Sequence, residues 1–417
     1  MPSLNNNQLS KDEEASGTLS TTTMASPDLF PDTPPYESQQ TRSPLHLPSE
    51  IISLILAHIP RTQTSQPTLW AFTLVSRSFY ACTIATLYHR PYITPNNFSL
   101  FVRTICPSKN AHIIPTPLSP LVQRLDMGAL VHNSSKSLTA RLLGRLKGNI
   151  QQFVAPQASF AINSFAALGK CREMRLLDLS LISASISNKL LFQTLSHLPN
   201  LHTLFFPRSS ASDALETITK PYTWPPKLSA LHLAGGINDN FLWTHMVTLP
   251  ESLRTLSIQH CSSIHAPSIL HVLSLLGPRL QNLTLRHPLP HLYPTSLDTL
   301  LLLCPFLHAL RISADFISPS LFISPNIPSG HPLRILDLEC SPDANADVDI
   351  PPGVLYEAVE EGLLSDLRSV RVSARLAWGA SEKTRGDVRD LLEVMEEGET
   401  ERPVGVEAEV LWCMPDT

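Results

Sequence analysis

The chain has 417 residues, 43% of them hydrophobic and only 16% charged, with a formal net charge of −5 and a pI near 6.3. That length accommodates two or three ordinary domains, or one long repeat array with an appendage, and the apolar content suffices for a large core. The acidic balance speaks against a broad nucleic-acid footprint, which needs Lys and Arg clustered on one face.

No charge-free apolar run reaches the roughly 18 to 20 residues of a membrane helix. The most apolar stretch, SLDTLLLLCPFLHAL, is broken by Asp298 and Pro305. No basic segment followed by an apolar run opens the chain, so no secretory signal is expected and the N-x-S/T sequons at Asn97, Asn133 and Asn282 read as chance matches. The cysteines, Cys82, Cys106, Cys171, Cys261, Cys304, Cys340 and Cys413, are odd in number and form no C-x-x-C pair. They read as free thiols in a reducing compartment, mostly as small buried hydrophobes. The expected setting is the cytoplasm, the nucleus or both.

Residues 1–43 are rich in Ser, Thr, Asn, Pro and acidic side chains, with Phe30 and Tyr36 as aromatics. Such a segment buries too little apolar area to offset its ordering entropy, which predicts a disordered tail. Ser26-Pro27, Thr33-Pro34 and Ser43-Pro44 fit a proline-directed kinase, or are simply part of a Pro-rich flexible segment.

Residues 44–93 read as a small helical module. Pro48 falls near a first helical turn, where its missing N–H costs nothing, and Glu50 favours the positive end of the helix dipole. Ile52, Ile55, Leu56 and Ile59 have the spacing of one apolar helix face, and Pro60 stops the helix. A polar loop, RTQTSQP, leads to the apolar segment TLWAFTLV; Ser76 then caps a helix running to about Tyr88. Helices this short need a docking partner or the rest of the chain to be stable.

Leu47-Pro48, Glu50-Ile51, Ile55-Leu56 and Leu74-Val75-Ser76-Arg77, with Phe79, Leu87 and Tyr88, resemble the F-box. In that family the opening Leu-Pro and the apolar helix faces dock onto the linker subunit of SCF ubiquitin ligases. The resemblance implies the same contact for Leu47, Pro48, Ile51, Ile55, Leu74, Val75 and Phe79. The loop after Ile59 is several residues longer than usual, and Phe79 stands where many members carry Trp. The other reading of the module is a plain helical cap on the rest of the chain.

Beyond the module the sequence repeats itself. Apolar triads L-x-x-L-x-L recur at Met174/Leu177/Leu179, Leu201/Leu204/Phe206, Leu228/Leu231/Leu233, Leu253/Leu256/Ile258, Leu280/Leu283/Leu285, Leu307/Leu310/Ile312 and Leu333/Leu336/Leu338. Their starts lie 25 to 27 residues apart, within the period of leucine-rich repeats. Val122/Leu125/Met127 and a degenerate unit around Ile150 and Phe153 precede them, and Leu367/Val370/Val372 comes after the SPDANADVDIPPG loop. Between triads, Leu191/Thr194/Leu195/Leu198, Leu242/His245/Met246/Leu249, Ile269/Val272/Leu273/Leu276 and Leu297/Leu300/Leu301/Cys304 have helical spacing, and Pro- or Gly-containing turns close each helix. The expectation for 94–379 is an α/β solenoid, a leucine-rich-repeat horseshoe of strand, loop, helix and turn with its helices outside.

This register accounts for residues that chemistry would otherwise claim. Cys171 and Cys304 sit in turns three residues before a triad, and Cys261 matches the Cys-or-Asn position of the repeat. The cysteine spacings fit no zinc pattern, no H-E-x-x-H or nucleophile motif is present, and Gly235-Gly236 lacks the rest of any phosphate loop. No enzyme, metal or cofactor is therefore expected. Residues 380–417 are acidic, and Val388, Leu391, Leu392 and Met395 predict an amphipathic helix that caps the array, with AEVLWCM as a further strand.

Strand alternation points Thr203 and Phe205, His232, Thr255, Ser257 and Gln259, Asn282, Thr284 and Arg286, Arg311, and Asp337 with Glu339 outward to the concave face. Phe205, His232, Gln259, Arg286 and Arg311 are the candidate substrate contacts: an aromatic anchor beside guanidiniums suited to acidic or phosphorylated segments. The module order is that of the F-box leucine-rich-repeat family. It implies a substrate adaptor whose F-box recruits the SCF linker subunit, and through it a cullin, while the repeats hold a protein target. The alternatives are a repeat scaffold with no ubiquitin role and a leucine-rich GTPase activator; the short period and the lack of an Asn ladder weigh against the last.

Overall fold

The computed structural model describes residues 47–60, 62–107, 116–131, 136–158, 160–211, 221–341, 348–400 and 412–414. The expected disordered tail, its Ser/Thr-Pro dipeptides and residues 342–347 of the SPDANADVDIPPG loop lie outside these residues. Two units divide the chain, Met1–Leu47 and Pro48–Thr417; Leu47 is the described residue of the first.

The second unit begins with helices α1 (Ser49–Ala57), α2 (Gln66–Val75), α3 (Arg77–His89) and α4 (Phe98–Ile105). Pro48 stands just before α1 in extended backbone, and its carbonyl accepts the Ile52 N–H at 3.2 Å. The Ser76 hydroxyl accepts the Phe79 N–H at 3.2 Å, the cap expected for α3. One expectation fails. Ile52 and Leu56 are buried as α1 packs on α3, but Ile55 is exposed with Ile51 and Leu54, and the helix ends at Ala57, short of Ile59. The inward face is therefore a narrow i, i+4 line, and the residues flanking it turn outward.

Beyond α4 each unit contributes a strand: β1 (Arg124–Asp126), β2 (Gln152–Val154), β3 (Leu176–Asp178), a short β4 (Ile186–Ser187), β5 (Thr203–Phe205), a short β6 (Ser210–Ala211), β7 (Ala230–Ala234), β8 (Thr255–Gln259), β9 (Asn282–Arg286), β10 (Ala309–Ser313), β11 (Ile335–Glu339), β12 (Ser369–Ser373) and β13 (Trp412–Met414). Apart from β4 and β6, which pair with each other, these form one parallel sheet in chain order. Register follows the triads. Leu125, Phe153, Leu177, Leu204, Leu231, Leu256, Leu283, Leu310, Leu336 and Val370 stand opposite one another on successive strands, all buried. Neither a strand three to five residues long nor its helix buries an apolar face alone, so stacking creates the single continuous core.

Helices Lys136–Leu146, Ile162–Leu168, Asn188–Leu195, Asp239–His245, Ala266–Leu276 and Pro352–Glu360 cover the other side. The uniform strand–loop–helix–turn unit breaks down in two places. The helix expected around Leu297–Cys304 shrinks to one turn, Leu300–Leu303, and β10 and β11 are joined by 3-10 turns at Ala314–Phe316 and Pro319–Phe322. Pro288, Pro290 and Pro294 precede the first and Pro319, Pro325, Pro328 and Pro332 occupy the second, removing the N–H donors an α-helix needs. The acidic helix runs from Glu382 to Thr400, buries Leu391 and Met395 and packs on Pro352–Glu360, while β13 extends the sheet beyond β12.

Cys171, Cys261 and Cys304 are fully buried free thiols, and burial pushes each up to about 12. The Cys261 thiol lies 3.3 Å from the Gln259 carbonyl, to which it donates in the loop position expected of it. Among the described residues no helix is long and apolar enough to cross a membrane.

Candidate partner-binding surfaces

Two surfaces gather the residues singled out in the sequence. The first is the helical module. Leu74 and Val75, at the C-terminal end of α2, are 66% and 61% exposed, and Ile51 and Ile55 on α1 are exposed with Pro48. Phe79 is half-buried instead, its ring 5.7 Å from that of Phe72, so it braces α2 against α3 more than it offers a knob. Leu47 is half-buried. Covering one Val, Leu or Ile side chain contributes about 1.5–3 kcal/mol, so this many left bare marks a face made to be covered.

Sequence reasoning missed Leu54, Trp70 and Tyr80, which are exposed on the same three helices. The signal for Leu54 was present, since it flanks Ile51 and Ile55 at helical spacing. An apolar groove of about 510 Å3 is lined by Trp70 and, among others, Leu87, Tyr88, Tyr92, Leu100 and Phe101. Tyr88 is raised above the usual phenol range by burial there, an effect its hydrogen bond to Thr104 partly offsets.

The second surface is the outward side of the sheet. Asp178, Phe205, His232, Ser257, Thr284, Arg311, Asp337 and Arg371 share one row across β3 to β12. Phe205 is not the free aromatic expected. Its ring stacks on His232 at 4.0 Å and 4°, leaving both half-buried, and burial lowers His232 against the pull of Asp178. Gln259 is half-buried in register with Arg286.

The two candidate guanidiniums are already engaged. Arg286 forms a two-pronged pair with Glu339, reaching over the intervening strand. Arg311 lies 2.9 Å from Asp337, whose other oxygen faces Arg371 at 3.9 Å. Those arginines roof Asp337, which is buried although alternation points it outward; Ser257 is buried as well. Burial raises the Asp337 carboxyl above its ordinary range, a push that Arg311 and Arg371 oppose. An incoming acid at Arg286 or Arg311 would have to displace an internal one. Far from forming an open hot spot, these side chains neutralise each other.

No protein-family model matches the chain. F-box protein YDR306C of Saccharomyces cerevisiae is 31% identical over 331 residues, covering 78% of this chain and 66% of that protein, so the match spans just under two thirds of that relative's length. Protein pof5 of Schizosaccharomyces pombe is 30% identical over 329 residues, covering 78% of this chain and 89% of that protein. Among solved structures, the yeast Rad7 and Elc1 complex contains a chain that aligns over 79% of this one and 94% of its own length, at 13% identity and a TM-score of 0.37, a likeness too loose to argue from.

Proposed function

Because this chain belongs to the F-box protein family, we propose that it is a substrate-recognition adaptor of an SCF-type ubiquitin ligase. In this reading α1 to α3 dock onto the linker subunit, and through it a cullin. The sheet-bearing units, read as a leucine-rich-repeat horseshoe, hold the target protein on their strand face. This reading calls for no catalytic residue and no cofactor, since holding two proteins together is binding chemistry throughout.

The observation that carries the reading is the exposure of Ile51, Ile55, Leu74 and Val75 in the module whose sequence resembles the F-box. Solvent-exposed branched side chains on two short helices are a liability unless a partner covers them. The test is co-purification of the full chain with the linker subunit. Leu74→Asp with Val75→Asp should abolish it, because a carboxylate in a desolvated interface lacks a partner. Circular dichroism should be unchanged, since neither side chain is in the core. A double variant that still retains the linker subunit would sink the ligase reading and leave the repeat scaffold without a ubiquitin role.

A further inference from the structure

We propose that the edge where the strands enter the sheet is a binding track for an extended acidic polypeptide segment. In the main array, the carbonyl of the residue just before each strand accepts from two consecutive N–H groups of the next unit. The carbonyl of Arg175 accepts from His202 and Thr203, that of His202 from Ser229 and Ala230, and the pattern continues through Arg254, His308 and Arg334 to Arg368. These doubled bonds fix the residues as rungs of a ladder, one per unit. Among the described residues the rungs from Gln123 to Arg368 include Arg175, His202, Arg254, His308, Arg334 and Arg368; the others are Gln or Ser, and none is acidic. In a chain of net charge −5, such a row of donors is a marked local excess.

The arginine charge here is less tightly paired than that of Arg286 and Arg311. Arg175, His202, Arg254 and Arg334 are exposed. Arg254 bonds the backbone carbonyls of Glu251 and Leu253 at 2.5 and 2.8 Å, which orients its guanidinium without neutralising it. Arg334 forms a long, exposed ion pair with Asp366 at 3.8 Å, which solvent screens and a closer carboxylate can outcompete.

The spacing selects the occupant. Neighbouring strands lie about 4.8 Å apart, so the three rungs from Arg175 to Arg254, and again from Arg254 to Arg334, each span about 14 Å. An extended peptide rises about 3.4 Å per residue, so carboxylates four residues apart meet successive arginines. A nucleic-acid strand carries a charge about every 3.4 Å, far denser than the ladder. Bidentate pairing of guanidinium with carboxylate supplies the contact chemistry.

The inference rests on reading the chain as a holder of another protein, but its test needs no ligase. The full chain is titrated against a fluorescein-labelled peptide of about 14 residues with Glu at every fourth position, long enough to run from Arg175 past Arg334. Anisotropy is read at about 50 mM salt, where surface charges are weakly screened. Binding should weaken as salt rises, and Arg175→Glu with Arg254→Glu and Arg334→Glu should weaken it at least about tenfold. Arg286→Ala with Arg311→Ala should leave it within about twofold, since those charges are internally paired. Should the charge-reversed chain misfold by circular dichroism, Arg175→Gln with Arg334→Gln, which spares the Arg254 bonds, should still weaken binding by about threefold. Absence of binding, no effect of these variants, or tighter binding of a single-stranded oligonucleotide of equal charge each overturns the proposal. Linker-subunit retention by the charge-reversed chain should be normal, so loss of that retention in the module variant and loss of peptide binding here are separate failures.

Discussion

Leu283 is the position at which the repeat register is most exposed to refutation. It is buried in β9, with Leu256 directly opposite on one side and Leu310 on the other. Leu283→Ala removes about three methylene-sized groups from the core, at about 0.8 kcal/mol each, or about 2.4 kcal/mol of transfer free energy. A cavity term adds to this, because the flanking leucines are held by the strand ladder and close the void only in part; the expected total is about 3–5 kcal/mol. The assay is reversible urea unfolding followed by far-ultraviolet circular dichroism, with Leu302→Ala as control. Leu302 is exposed on the single-turn helix of the next unit, and its truncation should shift stability by no more than about 0.5 kcal/mol. A Leu283→Ala cost below about 1 kcal/mol, or one equal to the control's, would mean that the triads do not stack as the sheet register has them.

Two further expectations probe the backbone and the core. Gly235 has φ +79°, and a Cβ there would lie 1.8 Å from the Arg208 carbonyl oxygen, whereas Gly362, at φ +72°, has open space around it. Gly235→Ala should therefore cost about 2–4 kcal/mol and Gly362→Ala about 1 kcal/mol in the same unfolding assay; equal costs would mean that the close approach does not matter. His245 is buried, its Nδ1 accepts the Tyr222 N–H at 3.1 Å, and burial depresses it to about 4. A depressed folded-state value means that its contribution is fully present above the unfolded imidazole range near 6.5 and is lost as pH falls through about 4. Between pH 7 and pH 4, wild type should lose up to about 3 kcal/mol more stability than His245→Asn, and parallel losses in the two proteins would refute the assignment.

The repeat was legible in the sequence because its signal is redundant: a one-residue slip would move every apolar triad to the solvent side, so the pattern permits one register. The unit joining β10 and β11 was less legible, since the triads fix the strands while the prolines decide what lies between them. The module was readable as helices but not as faces. With residues advancing about 100° each, Ile55 reads equally well as a partner of Ile52 or of Ile51, and only packing against α3 decides for exposure.

The strand face was legible in outline and wrong in its charge. Alternation correctly places Arg286, Arg311, Asp337 and Glu339 in outward rows, but it is a rule about Cβ directions and is silent on how far a side chain reaches. Arginine spans more than one strand spacing, so Arg286 finds Glu339 two strands away, 53 residues along the chain. Position-by-position reading treats each guanidinium as free because its neutralising acid lies in another unit. The same triads contained the remedy. Their second position carries Arg175, His202, Arg254, His308, Arg334 and Arg368 without one acid, so no rung can neutralise its neighbour. A row uniform in sign cannot pair within itself, whereas a row of mixed sign will; free charge on a repeat surface is therefore to be sought where the repeat position is chemically monotonous.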